Sequence, residues 1–139
     1  MARPASTGRR FQALLIDHAL ALVVTAAVAA AATPFVTDPT APAGAAVYGG
    51  LLYPPLFLGY KAAAEATRGT TVGKSVRGLA VVGPNGAAPM PGAALARNLL
   101  LPVDWLPACY LLGLVVASDD PENRRFGDRM AGTVVVETR

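Results

Sequence analysis

The feature that most limits what this chain can become is a run of 22 residues, Phe11 to Ala32, with neither glycine nor proline and a single carboxylate, Asp17. As an α-helix it covers about 33 Å, enough to cross a hydrocarbon core of about 30 Å. Arg9 and Arg10 directly precede it, as basic residues do at the cytoplasmic border of a spanning helix. A basic start, an apolar core and the small residues of Val28 to Ala32 also fit a cleavable signal peptide. Asp17 and a length beyond the ~15-residue upper limit of a signal core favour a retained helix.

The rest of the chain agrees with a membrane setting. Of its 139 residues 53% are apolar and 15% charged, against about a quarter charged in soluble domains, and the length allows one domain. The net charge of +3 comes from basic residues at the borders of apolar runs rather than from a basic face interleaved with aromatics, which argues against nucleic acid as a partner. Cys109 is the single cysteine, so an internal disulfide and a cysteine-based zinc site are excluded, and a small buried thiol is expected.

A second apolar run, Ala45 to Ala64, predicts a helix over 45–66 with a kink at Pro54 and Pro55. Lys61 and Glu65, one turn apart near its end, are expected as a plain interfacial pair whose long side chains reach the headgroups. The connection from Thr33 to Gly44 holds Asp38 and no basic residue, which places it outside. The stretch Arg68 to Arg97 carries Arg68, Lys74, Arg77 and Arg97 with no acid, which makes 67–92 a cytoplasmic loop. Within it Leu79 to Val82 and the Gly83 to Gly86 turn predict a small β-hairpin or strand element, for which Thr133 to Glu137 is a candidate partner.

A third apolar segment, 93–117, contains Pro102, Asp104 and Pro107. A bent, re-entrant or interfacial course keeps the C-terminal segment 118–139, with Arg124, Arg125 and Arg129, on the cytoplasmic side. The expected fold is therefore an all-α membrane protein. It has two transmembrane helices, a third bent apolar helix and a small cytoplasmic β-element, sits in the plasma (inner) membrane, and keeps both termini in the cytoplasm.

Chemical motifs are few. Gly69-Thr-Thr-Val-Gly73-Lys74-Ser75 has three residues between its glycines where a phosphate-binding loop needs four, and no apolar strand leads into it, so no nucleotide is expected and a loop turn accounts for the glycines. Nucleophile and metalloprotease signatures are missing, and His18 is the only histidine, so neither enzymatic activity nor a cofactor or metal is expected.

Asp17 is the sharper signal. An ionised carboxylate at that depth costs at least about 2.5 kcal/mol, so it must face protein, water or a cation. Arg10, seven residues earlier on the same face, is the nearest candidate although about 10.5 Å of axial rise separates them. Ala13 and Ala21 on that face would let another helix come close. Near the other end, a helix over Glu122 to Ala131 would pair Arg124 with Asp128 at i,i+4 and stop at Gly132.

Taken together, Arg10-x-x-Ala13-x-x-Ile16-Asp17, Thr71-Val72-Gly73-Lys74 with Gly78-Leu79-x-Val81-Val82, Arg97-Asn98, and Arg125-x-x-Asp128-x-x-Ala131-Gly132-Thr133-x-Val135 resemble the RDD family in its own order along the chain. The resemblance implies one RDD-like membrane domain over 1–139 and a functional charge site of Arg10, Asp17 and Asp128. Arg124, Arg125, Lys74 and Asp104 are the supporting charges. It also implies a loose association with transport of a small solute or ion. The alternative is a non-transporting membrane subunit or adaptor in which the same charges are a structural lock. Two or three spans hardly enclose a pathway, so the expected partners are the lipid bilayer and further copies of the chain or other membrane subunits.

Overall fold

Helices coincide with the apolar runs and overshoot their expected ends. In a computed structural model, which describes residues 3–36, 42–105 and 111–138, α1 spans Thr7–Val36 and α2 spans Pro42–Arg68. Pro42 stands at the first helical position, where its missing N–H costs nothing, and Pro34 sits in the last turn of α1. α2 remains helical through Pro54 and Pro55. Most of the expected outer connection, with Asp38, lies outside the described residues.

α1 buries one stripe, Arg10, Ala13, Leu14, Asp17, Ala21, Thr25 and Ala29, while Leu15, Leu22, Val23, Val24 and Val28 are exposed. The three- and four-residue spacing puts the buried set on one face. Asp17 meets Lys61 at one end of that face, and Ala29 lies beside Gly49 at the other, so α1 and α2 run antiparallel. Thr7–Ala32 is long and apolar enough to cross a membrane; its most apolar stretch of 18 residues has a mean hydropathy of 2.1, and a third of that stretch is buried inside the protein. α2 does not reach that measure; its last two turns carry Lys61, Glu65 and Arg68.

The remaining elements gather at the Arg10 end of the helix pair. A short helix, α3 (Val72–Val76), leads into strand β1 (Leu79–Val82), which pairs antiparallel with β2 (Val134–Glu137), Leu79 opposite Glu137 and Val82 opposite Val134. The pairing thus joins distant segments and is not a local hairpin. Gly83 N–H closes the expected turn on the Ala87 carbonyl at 2.8 Å, but the chain runs from there into a helix rather than a second strand. The other edge of β2 takes the N-terminal chain, where Ala5 N–H donates to the Val135 carbonyl and Glu137 N–H to the Arg3 carbonyl, each at 2.9 Å. That third partner gives a two-stranded piece the support it lacks alone. Ala5, Leu79, Val81 and Val135 pack with Ala13 as a small core under the first turns of α1.

The third apolar segment is broken into α4 (Pro91–Leu99), α5 (Leu101–Trp105) and α6 (Leu111–Ser118). Leu100 ends α4, and Pro102 stands at the second position of α5, where a proline is tolerated. Pro107 and Cys109 lie outside the described residues. The C-terminal helix, α7, covers Phe126–Met130 and is shorter than the expected Glu122 to Ala131. The chain before it turns through Asn123 at φ 52°, which is not a helical conformation.

Candidate functional site

Eight charged side chains meet where α1, α2, α3, α4 and α7 converge, and all are buried. They are the carboxylates Asp17, Glu65 and Asp128 and the cations Arg10, Lys61, Lys74, Arg97 and Arg125. Each carboxylate has its own set of donors.

Asp17 is enclosed by the Thr71-Val72-Gly73-Lys74 segment. The Thr71 hydroxyl donates to its Oδ2 at 2.6 Å, and the Gly73 N–H and Tyr60 hydroxyl donate to its Oδ1 at 2.8 and 3.1 Å. Lys61 Nζ stands 3.6 Å from Oδ2. The same Thr71 hydroxyl accepts from Lys74 N–H at 3.3 Å and caps α3, while Val72 N–H donates to the Tyr60 oxygen at 2.9 Å. Gly73 is required here because a β-carbon would run into the Ala13 carbonyl of α1. The loop that resembled a phosphate cradle therefore turns its donors on an internal carboxylate, and its second glycine serves a helix contact rather than a loop turn.

Glu65 pairs with Lys74, accepts from Asn98 Nδ2 at 2.8 Å and lies 3.5 Å from Arg97 Nη1. Asp128 pairs with Arg10, receives Arg97 Nη2 at 2.7 Å and has Arg125 Nε at 3.4 Å. Arg10 also donates to the Asn123 carbonyl. Arg97, from α4, thus bridges the second and third carboxylates. A β-carbon on Gly127 would lie 2.7 Å from the Arg97 carbonyl, so this glycine lets α7 press against α4.

Burial alone would raise the Asp128 carboxyl, but Arg10, Arg97 and Arg125 hold it well below the usual carboxylate range. Burial pushes the Lys74 ammonium well below its ordinary value, against the pull of Glu65.

Several expectations change. Arg10 does not serve Asp17; its partner is Asp128, because Lys61 of the facing helix is within reach of Asp17 while about 10.5 Å of axial rise separates the two α1 side chains. Lys61 and Glu65 are not an interfacial pair, since both are buried in the network. Arg124 does not pair with Asp128, because it precedes the start of α7. It joins Asp120 at 3.2 Å and Glu122 at 3.2 Å in a separate cluster, with Arg129 at 3.1 Å from Asp120. Arg125 and Lys74 do stand in the site. Asp104 has its backbone in α5, and its side chain lies outside what is described.

Lys61, Glu65 and Tyr60 carry no motif of their own, whereas Thr71 opens the Thr71-Val72-Gly73-Lys74 stretch. The sequence signal for Lys61 and Glu65 was their spacing of four residues at the end of an apolar run, which also suits snorkelling. Among the described residues no three His, Cys, Asp or Glu side chains converge as a metal site requires.

A family model described as the RDD family matches residues 4–132. No curated protein and no solved structure matches the chain.

Proposed function

The chain belongs to the RDD family, and from that premise we propose that it is a multi-pass protein of the plasma (inner) membrane whose buried charge network serves the passage of a small solute or ion. In this reading α1 and α2 both span, the network lies at their cytoplasmic end, and both termini face the cytoplasm with the basic segments around Arg9 and Arg77. The carrying observation is the burial of eight ionisable side chains at one end of a helix pair whose outward face is apolar. Charges in such a setting are costly and mark substrate or ion pathways. Because two long helices hardly enclose a pathway, further copies of the chain or other membrane subunits complete it.

One observation favours a second reading, a membrane subunit or adaptor in which the network is a structural lock. Asp17 is met by Thr71, Gly73, Tyr60 and Lys61, so a transported cation would have to displace Lys61. Asp17→Asn separates the two readings. Transport predicts lost flux in liposomes of purified protein with abundance and melting temperature kept. A lock predicts lower abundance and melting, restored when Lys61 is neutralised as well. A variant equal to wild type in all three measurements would sink both.

A further inference from the structure

Arg77 caps the end of α3 and takes no part in the buried network. Its Nε is buried without a hydrogen-bond acceptor, and the side chain forms no ion pair, among the described residues. It lines an open pocket of about 510 Å³ together with Arg9, Ser75, Val76, Gly78 and Thr138. A volume of this order suits a small ligand. Arg9 stands in the first turn of α1, Ser75 to Gly78 carry the chain from α3 towards β1, and Thr138 follows β2. Glu137 reaches the pocket's edge, 3.6 Å from Arg9 Nη1, and with nearly half of the Arg9 side chain in solvent such a pair is weak. The carbonyls at the end of α3, which would repel an anion, are occupied. Gly73 and Lys74 accept from Arg77 N–H at 3.2 and 3.0 Å, and Ser75 accepts from Gly78 N–H at 3.1 Å.

The pocket's place in the fold indicates its ligand. Through Gly73, α3 packs against Ala13 in the second turn of α1, so the pocket stands at the head of the apolar span. Val76 in its wall is 65% exposed, and Val72, one turn earlier on α3, is exposed too. Apolar side chains on a short helix, beside arginines at the start of a span, suit the boundary between headgroups and acyl chains. We propose that the pocket binds the phosphate of an anionic phospholipid of the cytoplasmic leaflet, with Arg77 as its anchor and Arg9 as the second cation. A guanidinium forks to two phosphate oxygens, and the Ser75 and Thr138 hydroxyls are further donors. Val76 offers the apolar edge along which an acyl chain leaves the pocket. Basic residues at this surface also gain from the negative potential of anionic lipid.

The lipid site rests on the reading that puts this end of α1 at the cytoplasmic surface, but not on transport. Purified full-length protein in a neutral detergent is titrated with phosphatidylglycerol, phosphatidylcholine or inorganic phosphate, and bound ligand is counted by native mass spectrometry. One phosphatidylglycerol per chain is expected at saturation, held about fivefold or more tighter than phosphatidylcholine, with no response to inorganic phosphate. Arg77→Gln should weaken that binding about tenfold or more, the worth of a charge-assisted hydrogen bond, and Arg77→Lys should weaken it less. Without lipid the melting temperature of both variants should match wild type, because the Arg77 side chain holds no partner among the described residues. Ser75→Asp sets a carboxylate in the pocket's exposed wall and should also remove the preference; it serves if the Arg77 variants do not fold.

Equal affinity for the two lipids overturns the proposal, as does a phosphatidylglycerol preference that survives Arg77→Gln and Ser75→Asp, since it places the lipid elsewhere. Inorganic phosphate that displaces the lipid at equal affinity overturns the lipid as occupant. Reporter fusions at the termini check the orientation on their own, and external termini overturn the cytoplasmic leaflet whatever the lipid binding. Lipid preference without liposome flux supports the site and removes transport; flux without lipid preference does the reverse.

Discussion

The two ends of the α1–α2 pair are held by different physics. At the Arg10 end the helices are joined through directional contacts that also recruit α3, α4 and α7. At the far end they meet through small residues, with Ala29 beside Gly49 and Thr25 as the buried polar side chain of α1. Geometry at the first end is fixed by the number and reach of donors, so each member is costly to lose. At the second it is fixed by close approach alone, which many small side chains satisfy.

The largest break in this contrast is expected from Asp128→Asn. It leaves Arg10, Arg97 and Arg125 buried with their shared carboxylate gone, and removing one member of a buried ion network costs about 3–5 kcal/mol. Melting of the purified protein should fall sharply; an unchanged midpoint would mean that the network does not hold the fold together.

One substitution made at both ends sharpens the comparison. Gly73→Ala drives a β-carbon into the Ala13 carbonyl, and overpacking of this kind costs about 1–3 kcal/mol. Gly49→Ala places its β-carbon 4.0 Å from that of Ala29, an ordinary contact. Its smaller effect has the opposite sign, a gain of about 0.5–1 kcal/mol from helix propensity. Thermal melting of the two variants should move in opposite directions, and destabilisation by both would show that the far end is as tightly specified as the near one.

What could be read from the sequence divides along the same line. Periodic and compositional signals located α1, α2 and the β1 and β2 segments, because apolar runs and β-branched residues report local conformation. They placed Asp17 on the buried face of α1, because burial follows helical spacing. Partner choice was not legible. Arg10 and Lys61 are equally plausible mates for Asp17 in one dimension, and only the antiparallel pairing of α1 with α2 decides for Lys61. Arg124 and Asp128 obey the i,i+4 rule, yet the turn at Asn123 delays the helix past Arg124. Gly73 read as a turn residue and Gly127 as an ordinary helix position, because the backbones they admit, Ala13 and Arg97, are far away in sequence.

The Arg10 to Asp128 pair joins positions 118 residues apart. During synthesis, Arg10, Asp17, Lys61 and Glu65 leave the ribosome long before Asp128 does. Contacts of such separation form late, because loop-closure entropy must be overcome first. The nascent helix pair can already join Asp17 to Lys61, whereas Arg10 still lacks the carboxylate of Asp128. Assembly of this end is then a ring closure that waits for α7, and a chain halted before α7 leaves Arg10 and Arg97 without the carboxylate they share.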